Sequence, residues 1–464
     1  MKIKILIFLR VSICVIALLS NTIVLAESIT IMGATIIDGN GGRPIKNGTI
    51  VITDGRITAV GKKTDVSVPS ATKKIDARGK YVIPGLMDAN VHLLLEISIE
   101  TLSRYEGRYE DLITEAAQIT LKNGVTTVFD SWGPRQPLVN VRDNINAGKV
   151  IGSRFFLAGN IVGFDGPFSI DFSMKTQDFI TKGFADRVNE MWEQGVGANL
   201  LWMPPEQVRE KVRAYVGKDI DFLKYAASGH AAVQEQFITF SQITQRAIVE
   251  EAHRAGMIAQ SHTTSVDSLR LAIEAGVDLL QHCDLSGPVP IPKSIIQIIA
   301  EREIPCSTLS RTDKRQRSLK GTTYKSNDLN TRNMIEAGVT FLLSTDGGVL
   351  SADAKSKWVA APEQQEDLLM ILGEGHFNWL KAMDQKGLNP MENLLAATRN
   401  IARAYKVDKD LGTLEKGKIA DLLILDKNPL KNVENYRNIH LVMKEGKVVD
   451  RTILPLKPIL TKVK

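Results

Sequence analysis

Between residues 82 and 344 short apolar strands alternate with helix-length amphipathic segments, and this alternation constrains the fold more than any other feature of the chain. Strands are expected at residues 82–92, 125–129, 155–158, 220–225, 258–262, 279–282, 306–309 and 340–344. Helices at 114–122, 243–254 and 269–274 stop at Gly124, Gly256 and Gly276, where glycine supplies the left-handed turn that ends a helix. Eight strand–helix units predict an α/β class fold, a (β/α)8 TIM barrel.

Both ends of the chain have a different texture. Residues 28–80 read as short strands, with a hairpin at Asp54-Gly55 between residues 48–52 and 57–60. Residues 420–425, 441–444 and 447–450 repeat that texture, with a second hairpin at Glu445-Gly446. A small β-sandwich formed by both termini is the expectation. The domains then run 1–26 (signal peptide), 27–83 (sandwich, N-terminal part), 84–409 (barrel) and 410–464 (sandwich, C-terminal part). The middle exceeds the ~250 residues of a typical barrel. The surplus falls in residues 159–216 and 311–330, both after strands, so both are expected as long loops at the catalytic face. The first is rich in Gly, Pro, Phe, Trp and Met, which suits an apolar substrate lid.

The segment ending at Ala26 places Lys2, Lys4 and Arg10 before an apolar run from Val11 to Leu19, followed by Val24-Leu25-Ala26. This is the pattern of a cleaved secretory signal, with an uncleaved anchor as the alternative. The apolar run is shorter than the roughly 20 residues that span a bilayer. The protein is therefore expected to be exported, periplasmic or secreted. The formal charge of +6 falls to +3 without the three cations of that segment, and no basic stripe with interleaved aromatics is present, which argues against nucleic-acid binding. Cys283 and Cys306 are placed at opposite ends of neighbouring strands, too far apart to bridge, and are expected as free thiols.

Residues at the C-terminal ends of barrel strands carry the chemistry of such folds. His92, Lys224, His262, His282 and Asp346 all fall there by this assignment. The spacing of His262 and His282 is that of one strand–helix unit, so they come from adjacent strands. Of the seven histidines, three lie at strand ends. His253, within a helix, and His440 read as structural, and His376 in a Gly-rich stretch stays open.

Pro84-Gly85-Leu86-Met87-Asp88-Ala89-Asn90-Val91-His92 resembles the metal-binding opening of the amidohydrolase superfamily. Asp221-Phe222-Leu223-Lys224 resembles its carboxylated-lysine strand, Gln260-Ser261-His262 its fifth strand, Leu279-Leu280-Gln281-His282 its sixth and Ser344-Thr345-Asp346 its eighth. Residues 412–422 resemble the return to the sandwich. The resemblance is greatest to the prolidase- and imidazolonepropionase-like branch. It implies two divalent ions, zinc first, with iron, manganese or cobalt as alternatives, bridged by CO2 carried as a carbamate on Lys224. Burial suits lysine to this, because it favours the neutral amine that attacks CO2. The resemblance further implies a hydroxide between the ions and Asp346 as the catalytic proton shuttle.

One position departs from the usual His-x-His opening: Asn90 stands first. Phenylurea and thiocarbamate hydrolases are similar in having Asn-x-His there, which reads Asn90 as a variant metal ligand. The alternative is that Asn90 ligates nothing. Tyr225, His230, Trp132 and Arg135 are candidates for substrate binding. His230 has an ordinary loop role as its alternative, and Arg135 a surface salt bridge. The resemblance implies hydrolysis of an amide-like C–N bond of peptide, urea or carbamate type in a small-molecule substrate. The alternatives are ester, lactone or phosphotriester hydrolysis, and an exported binding protein with a degraded metal site. A homo-oligomer is compatible with the sequence.

Overall fold

The computed structural model describes residues 28–95, 98–169, 172, 176–229, 237–318, 324–348 and 371–461. The expected signal segment and His230 lie outside the described residues. No helix among the described residues is long and apolar enough to cross a membrane.

The N-terminal segment forms β1 (Ser28–Ile36), β2 (Ile45–Thr53), β3 (Arg56–Lys62), β4 (Lys73–Asp76) and β5 (Tyr81–Pro84). Asp54 and Gly55 turn β2 into β3 with φ of 49° and 78°, the left-handed pair a two-residue hairpin requires. The C-terminal segment adds β16 (Leu422–Leu425), β17 (Ile439–Lys444) and β18 (Lys447–Val448), turned at Glu445-Gly446. The two ends join in one eight-stranded sheet, ordered β18-β17-β16-β5-β1-β2-β3 with β4 on β1. The antiparallel β5–β16 pair, Val82 opposite Ile424, is where the two ends of the chain meet. The two hairpin turns come together as well: Ala420 N–H donates to the Gly55 carbonyl at 2.8 Å and Gly446 N–H to that of Ala420 at 3.0 Å. Ile29, Ile31, Ile50, Ile52, Val82, Leu422, Ile424 and Met443 fill a core of their own between these strands.

The remaining strands are parallel. β6 (Leu86–His92), β7 (Val125–Asp130), β8 (Arg154–Leu157) and β15 (Gly347–Gly348) form one sheet, ordered β15-β6-β7-β8. β9 (Ile161–Val162), β10 (Leu223–Ala226), β11 (Ala259–His262), β12 (Leu279–Gln281), β13 (Cys306–Ser307) and β14 (Phe341–Leu342) form a second, in the order of the sequence. Backbone bonds cross both gaps between these sheets, from Ala89 N to Leu343 O and from Asp221 N to Leu157 O, each 2.8 Å. The architecture is α/β and TIM-barrel-like, and every expected strand has a counterpart.

Three expectations are corrected. The strand expected at 82–92 is two strands. β5 belongs to the terminal sheet and β6 to the barrel, and the chain passes between them at Gly85, where a Cβ would lie 2.2 Å from Thr126 Oγ1. The long segment after β8 is not mainly loop: it holds helices Lys182–Glu193 and Pro205–Val216. Arg209 and Arg213 on the second helix both bond Glu251 of helix Gln242–Arg254, which fastens the insertion to the barrel wall. The cysteines are free and buried, as expected, but they are not far apart. β12 and β13 are only three and two residues long, and a left-handed His282 (φ 58°) turns the chain back, so the Cys283 N–H and thiol both donate to Ser307 O, at 3.3 and 3.5 Å, next to Cys306.

Candidate metal centre

β6 delivers Asn90 and His92, β10 delivers Lys224, β11 ends on His262, and His282 and Asp346 follow β12 and β14. Alternation along β6 aims Asn90 and His92 to one side and leaves Val91 in the hydrophobic core. The same rule acts on β10 and separates two neighbours. Lys224 faces inward, whereas Tyr225 points out and donates from its hydroxyl to Gln245 Oε1, 3.0 Å away on the flanking helix. Tyr225 is therefore not at the mouth, contrary to expectation.

The inward side chains form a connected chain. Asn90 Nδ2 donates to Asp346 Oδ1 at 2.8 Å, and Asn90 Oδ1 accepts from Lys224 Nζ at 3.2 Å. His92 Nε2 lies 3.0 Å and His282 Nε2 3.9 Å from the same Asp346 oxygen. The His282 and His262 rings pack edge to face, 4.8 Å between centroids. Asp346 and His282 both sit in the left-handed region, at φ 53° and 58°. A non-glycine residue adopts that conformation only where its surroundings hold it, and such sites concentrate where function resides.

Asp88 supplies that hold for the Asp346 turn. Its carboxylate accepts from the backbone of Asn90 (3.2 Å) and Thr345 (3.1 Å) and from the Thr345 hydroxyl (2.7 Å), while Asp346 N–H donates to Asn90 O at 2.9 Å. Burial pushes Asp88 up to about 7 despite those donors. Asp130, at the end of β7, is pushed by burial to about 8 and accepts from Leu93 N–H at 2.7 Å, just beyond His92. Neither acid was singled out from sequence. Asp130 occupies a strand end, the signal that could have found it, and Asp88 lies inside the motif that ends on His92.

The electrostatics are set by burial and proximity. Burial lowers Lys224 to about 8, against the pull of Asp346 and Asp130. Burial pushes Asp346 up, but His282, His92 and Lys224 outweigh it and hold the carboxyl well below its ordinary value. Burial likewise lowers His92 and favours its neutral ring, opposed by Asp346.

His92 gives the test of whether a metal suits this donor set. Its Nδ1 lies 3.2 Å from the Trp132 carbonyl, which can only accept, so Nδ1 carries the ring proton. In the neutral ring Nε2 then presents a lone pair to a carboxylate oxygen. Two acceptors facing one another at 3.0 Å are completed by a cation, and a backbone carbonyl fixing the far nitrogen is the usual support for a metal-binding imidazole. Three imidazoles, a carboxylate and an amide also match the nitrogen and oxygen preference of divalent transition ions. The donors meet pairwise: among the described residues no three His, Cys, Asp or Glu side chains converge in one closed cluster.

Of the other candidates, Trp132 is at the site. Its carbonyl holds His92, and its ring meets the His92 ring edge to face at 6.1 Å. Arg135 is not brought to the site. Its guanidinium donates to Lys218 O at 2.6 Å and reaches Gln194 Oε1 at 3.4 Å, tying the insertion to the start of helix Arg135–Asn146. His253 pairs with Asp278 at 2.7 Å, and His376 is buried against Asn123 O, both away from the site.

Residues 81–449 match the Amidohydrolase family. The chain belongs to the amidohydrolase family. This amidohydrolase is a hydrolase with relatives along nearly its whole length. Ochratoxinase of Aspergillus niger is 23% identical over 90% of this chain and 86% of its own. Among solved structures, molinate hydrolase superposes with a TM-score of 0.89 at 38% identity, covering 95% of this amidohydrolase and 98% of that chain. Phenylurea hydrolase B gives 0.88 at 36% identity, covering 94% and 99%.

Proposed function

We propose that this amidohydrolase cleaves an amide-like C–N bond, of peptide, urea or carbamate type, in a small-molecule substrate. The geometry that carries the reading is Asp346: one oxygen of its partly buried carboxylate has Asn90 Nδ2 at 2.8 Å, His92 Nε2 at 3.0 Å and His282 Nε2 at 3.9 Å. The similarity to ochratoxinase, molinate hydrolase and phenylurea hydrolase B supports the same class of chemistry.

His92, His262, His282, Asp346 and Asn90 would hold divalent metal, together with Lys224 as its CO2 adduct. Bound there, the metal supplies Lewis acidity toward a carbonyl and toward water. The protein's own groups do the rest. Among the described residues every hydrogen bond to the Asp346 carboxylate falls on Oδ1, which leaves Oδ2 to take a proton from the attacking water and return it to the leaving nitrogen. At a pKa of about 8, roughly a tenth of Lys224 is neutral at pH 7, against well under a thousandth for an ordinary lysine, so the amine is available to CO2. Asn90 links Lys224 to Asp346, so a change at one is felt at the other.

The two parallel sheets read as one closed (β/α)8 barrel, and the terminal sheet as a β-sandwich folded around its own core. The bonds across the sheet gaps and the meeting of the two hairpin turns support this. The positive start and the apolar run ahead of Glu27 support export.

Lys224→Ala tests the site reading. Metal content of purified protein, before and after incubation with bicarbonate and divalent metal, is expected to fall relative to wild type. Turnover of amide, urea and carbamate substrates should fall by at least about a thousandfold, the scale of losing a principal electrostatic group. Full metal content in the variant, or a wild-type protein fully loaded with metal and inert on all three substrate types, refutes it.

A further inference from the structure

One wall of the candidate site is aromatic and continuous. Trp132, beyond β7, meets the His92 ring edge to face. Phe164, beyond β9, meets the His262 ring the same way, 5.3 Å between centroids. Phe172 joins them, stacked on Trp132 at 4.3 Å and edge-on to Phe164 at 6.1 Å. The three rings therefore run as an arch from the imidazole on β6 to the imidazole on β11, along the β7–β10 side of the mouth. Trp132 and Phe164 are buried, and Phe172 is half-buried, the member with surface to offer.

Two described cations that follow barrel strands, Arg135 and Arg311, are engaged elsewhere. Arg135 is bonded to Lys218 O. Arg311, beyond β13, donates to Leu309 O at 3.0 Å, and its guanidinium lies 4.1 Å over the Tyr324 ring. Neither is placed to clamp a carboxylate on a substrate.

We propose that the Trp132–Phe172–Phe164 arch is the specificity wall of this site, and that it selects neutral substrates carrying an aromatic ring next to the scissile carbonyl–nitrogen bond. This rests on the C–N hydrolase reading and narrows it. Edge-to-face and offset-stacked contacts favour a substrate ring beyond its buried area alone. An anionic substrate would bring its charge against three apolar rings, which themselves offer it no partner.

The test compares acetanilide with N-methylacetamide and with 4-acetamidobenzoate, using metal-loaded wild type and Phe172→Ala. Phe172 is half-buried, so its removal spares the core, and Phe172→Trp serves as the conservative replacement. In wild type kcat/KM for acetanilide should exceed that for N-methylacetamide by on the order of a hundredfold, the scale of burying one aryl group. 4-Acetamidobenzoate should be disfavoured at least about tenfold against acetanilide. In Phe172→Ala the aryl-over-methyl ratio should fall by about tenfold, through KM, and Phe172→Trp should restore it. A ratio near one in wild type, a ratio unmoved in Phe172→Ala, or preference for the anionic compound overturns the proposal.

Binding of N-phenylmethanesulfonamide against N-methylmethanesulfonamide by calorimetry separates the two readings. Preferential binding of the aryl compound that is lost in Phe172→Ala supports the arch, even if no amide is cleaved and the hydrolytic reading fails. Equal binding of both compounds overturns the arch, even if amides are cleaved.

Discussion

Arg154, at the start of β8, is ion-paired to both Asp421 and Glu445 of the terminal sheet, and its environment fixes what Asp421→Ala should cost. The guanidinium is bonded to the Asp421 carboxylate and, at 2.6 Å, to Glu445 Oε1. The second Asp421 oxygen accepts from Glu445 N–H at 2.7 Å, and the Asp421 carbonyl accepts from Gly85 N–H at 2.9 Å. The Arg154 and Asp421 side chains are 10% and 6% exposed. Removing one partner of such a buried pair costs about 3–5 kcal/mol, because the other is left charged and unsolvated. Glu445, at 41% exposure, keeps part of the compensation for Arg154, but its own N–H loses an acceptor worth about 1 kcal/mol. The expected loss is about 3 kcal/mol. Asp421→Asn keeps an acceptor for Glu445 N–H and should lose less. Arg154→Met with Asp421→Leu removes both charges and should cost less than the two single changes added together, with a coupling of at least ~1 kcal/mol. Urea denaturation followed by circular dichroism measures all five variants against wild type. A loss under ~1 kcal/mol for Asp421→Ala, or additivity in the cycle, refutes the view that this pair fastens the terminal sheet to the barrel.

Tyr225→Phe removes only the hydroxyl bonded to Gln245. It should cost about 1 kcal/mol in denaturation and leave kcat/KM unchanged, whereas a tenfold loss of kcat/KM would return Tyr225 to the mouth. His376 is held near 3 by burial, below the ~6.5 of an unfolded chain. The unfolded state therefore binds the extra proton, so this contribution is full above pH 6.5 and is lost as pH falls toward 3. By pH 4 the loss amounts to about 3 kcal/mol. His376→Gln keeps a donor for Asn123 O without titrating. Denaturation from pH 7 to pH 4 should show a shallower decline in that variant, and an identical decline refutes the assignment.

Much of the site was legible because barrel strands are short and chemistry falls at one end of each. Locating the end of β6, β11 or β12 was enough to place His92, His262 and His282 together. What sequence missed has three physical causes. Tyr225 was misplaced because strand alternation reverses direction at every residue, and adjacency to Lys224 is the opposite of proximity. The approach of Cys283 to Ser307, beside Cys306, depended on a left-handed residue between strands two or three residues long, which no pattern of apolar residues encodes. The break at Gly85 was legible in part: the domain boundary at 83/84 falls beside it, but Val82 and Ile83 still read as the start of the barrel strand because both halves of residues 82–92 are buried strand, and only the partners of β5 and β6 distinguish them. Phe164 and Phe172 lay in a segment whose apolar composition was readable, but their stacking on the site depends on tertiary packing.

The pairing of β5 with β16 also sets an order of events during synthesis. The whole barrel lies between Pro84 and Leu422, and β16 is the central neighbour that β5 needs. At about 5–20 residues per second, the ribosome takes roughly 20–70 s to make that stretch. Throughout that interval the N-terminal strands present an unpaired sheet edge, a template for aggregation unless something else covers it. The C-terminal strands of this chain therefore act as the closing piece of a sheet begun at its other end, and a truncation there should be read as a folding defect before it is read as a catalytic one.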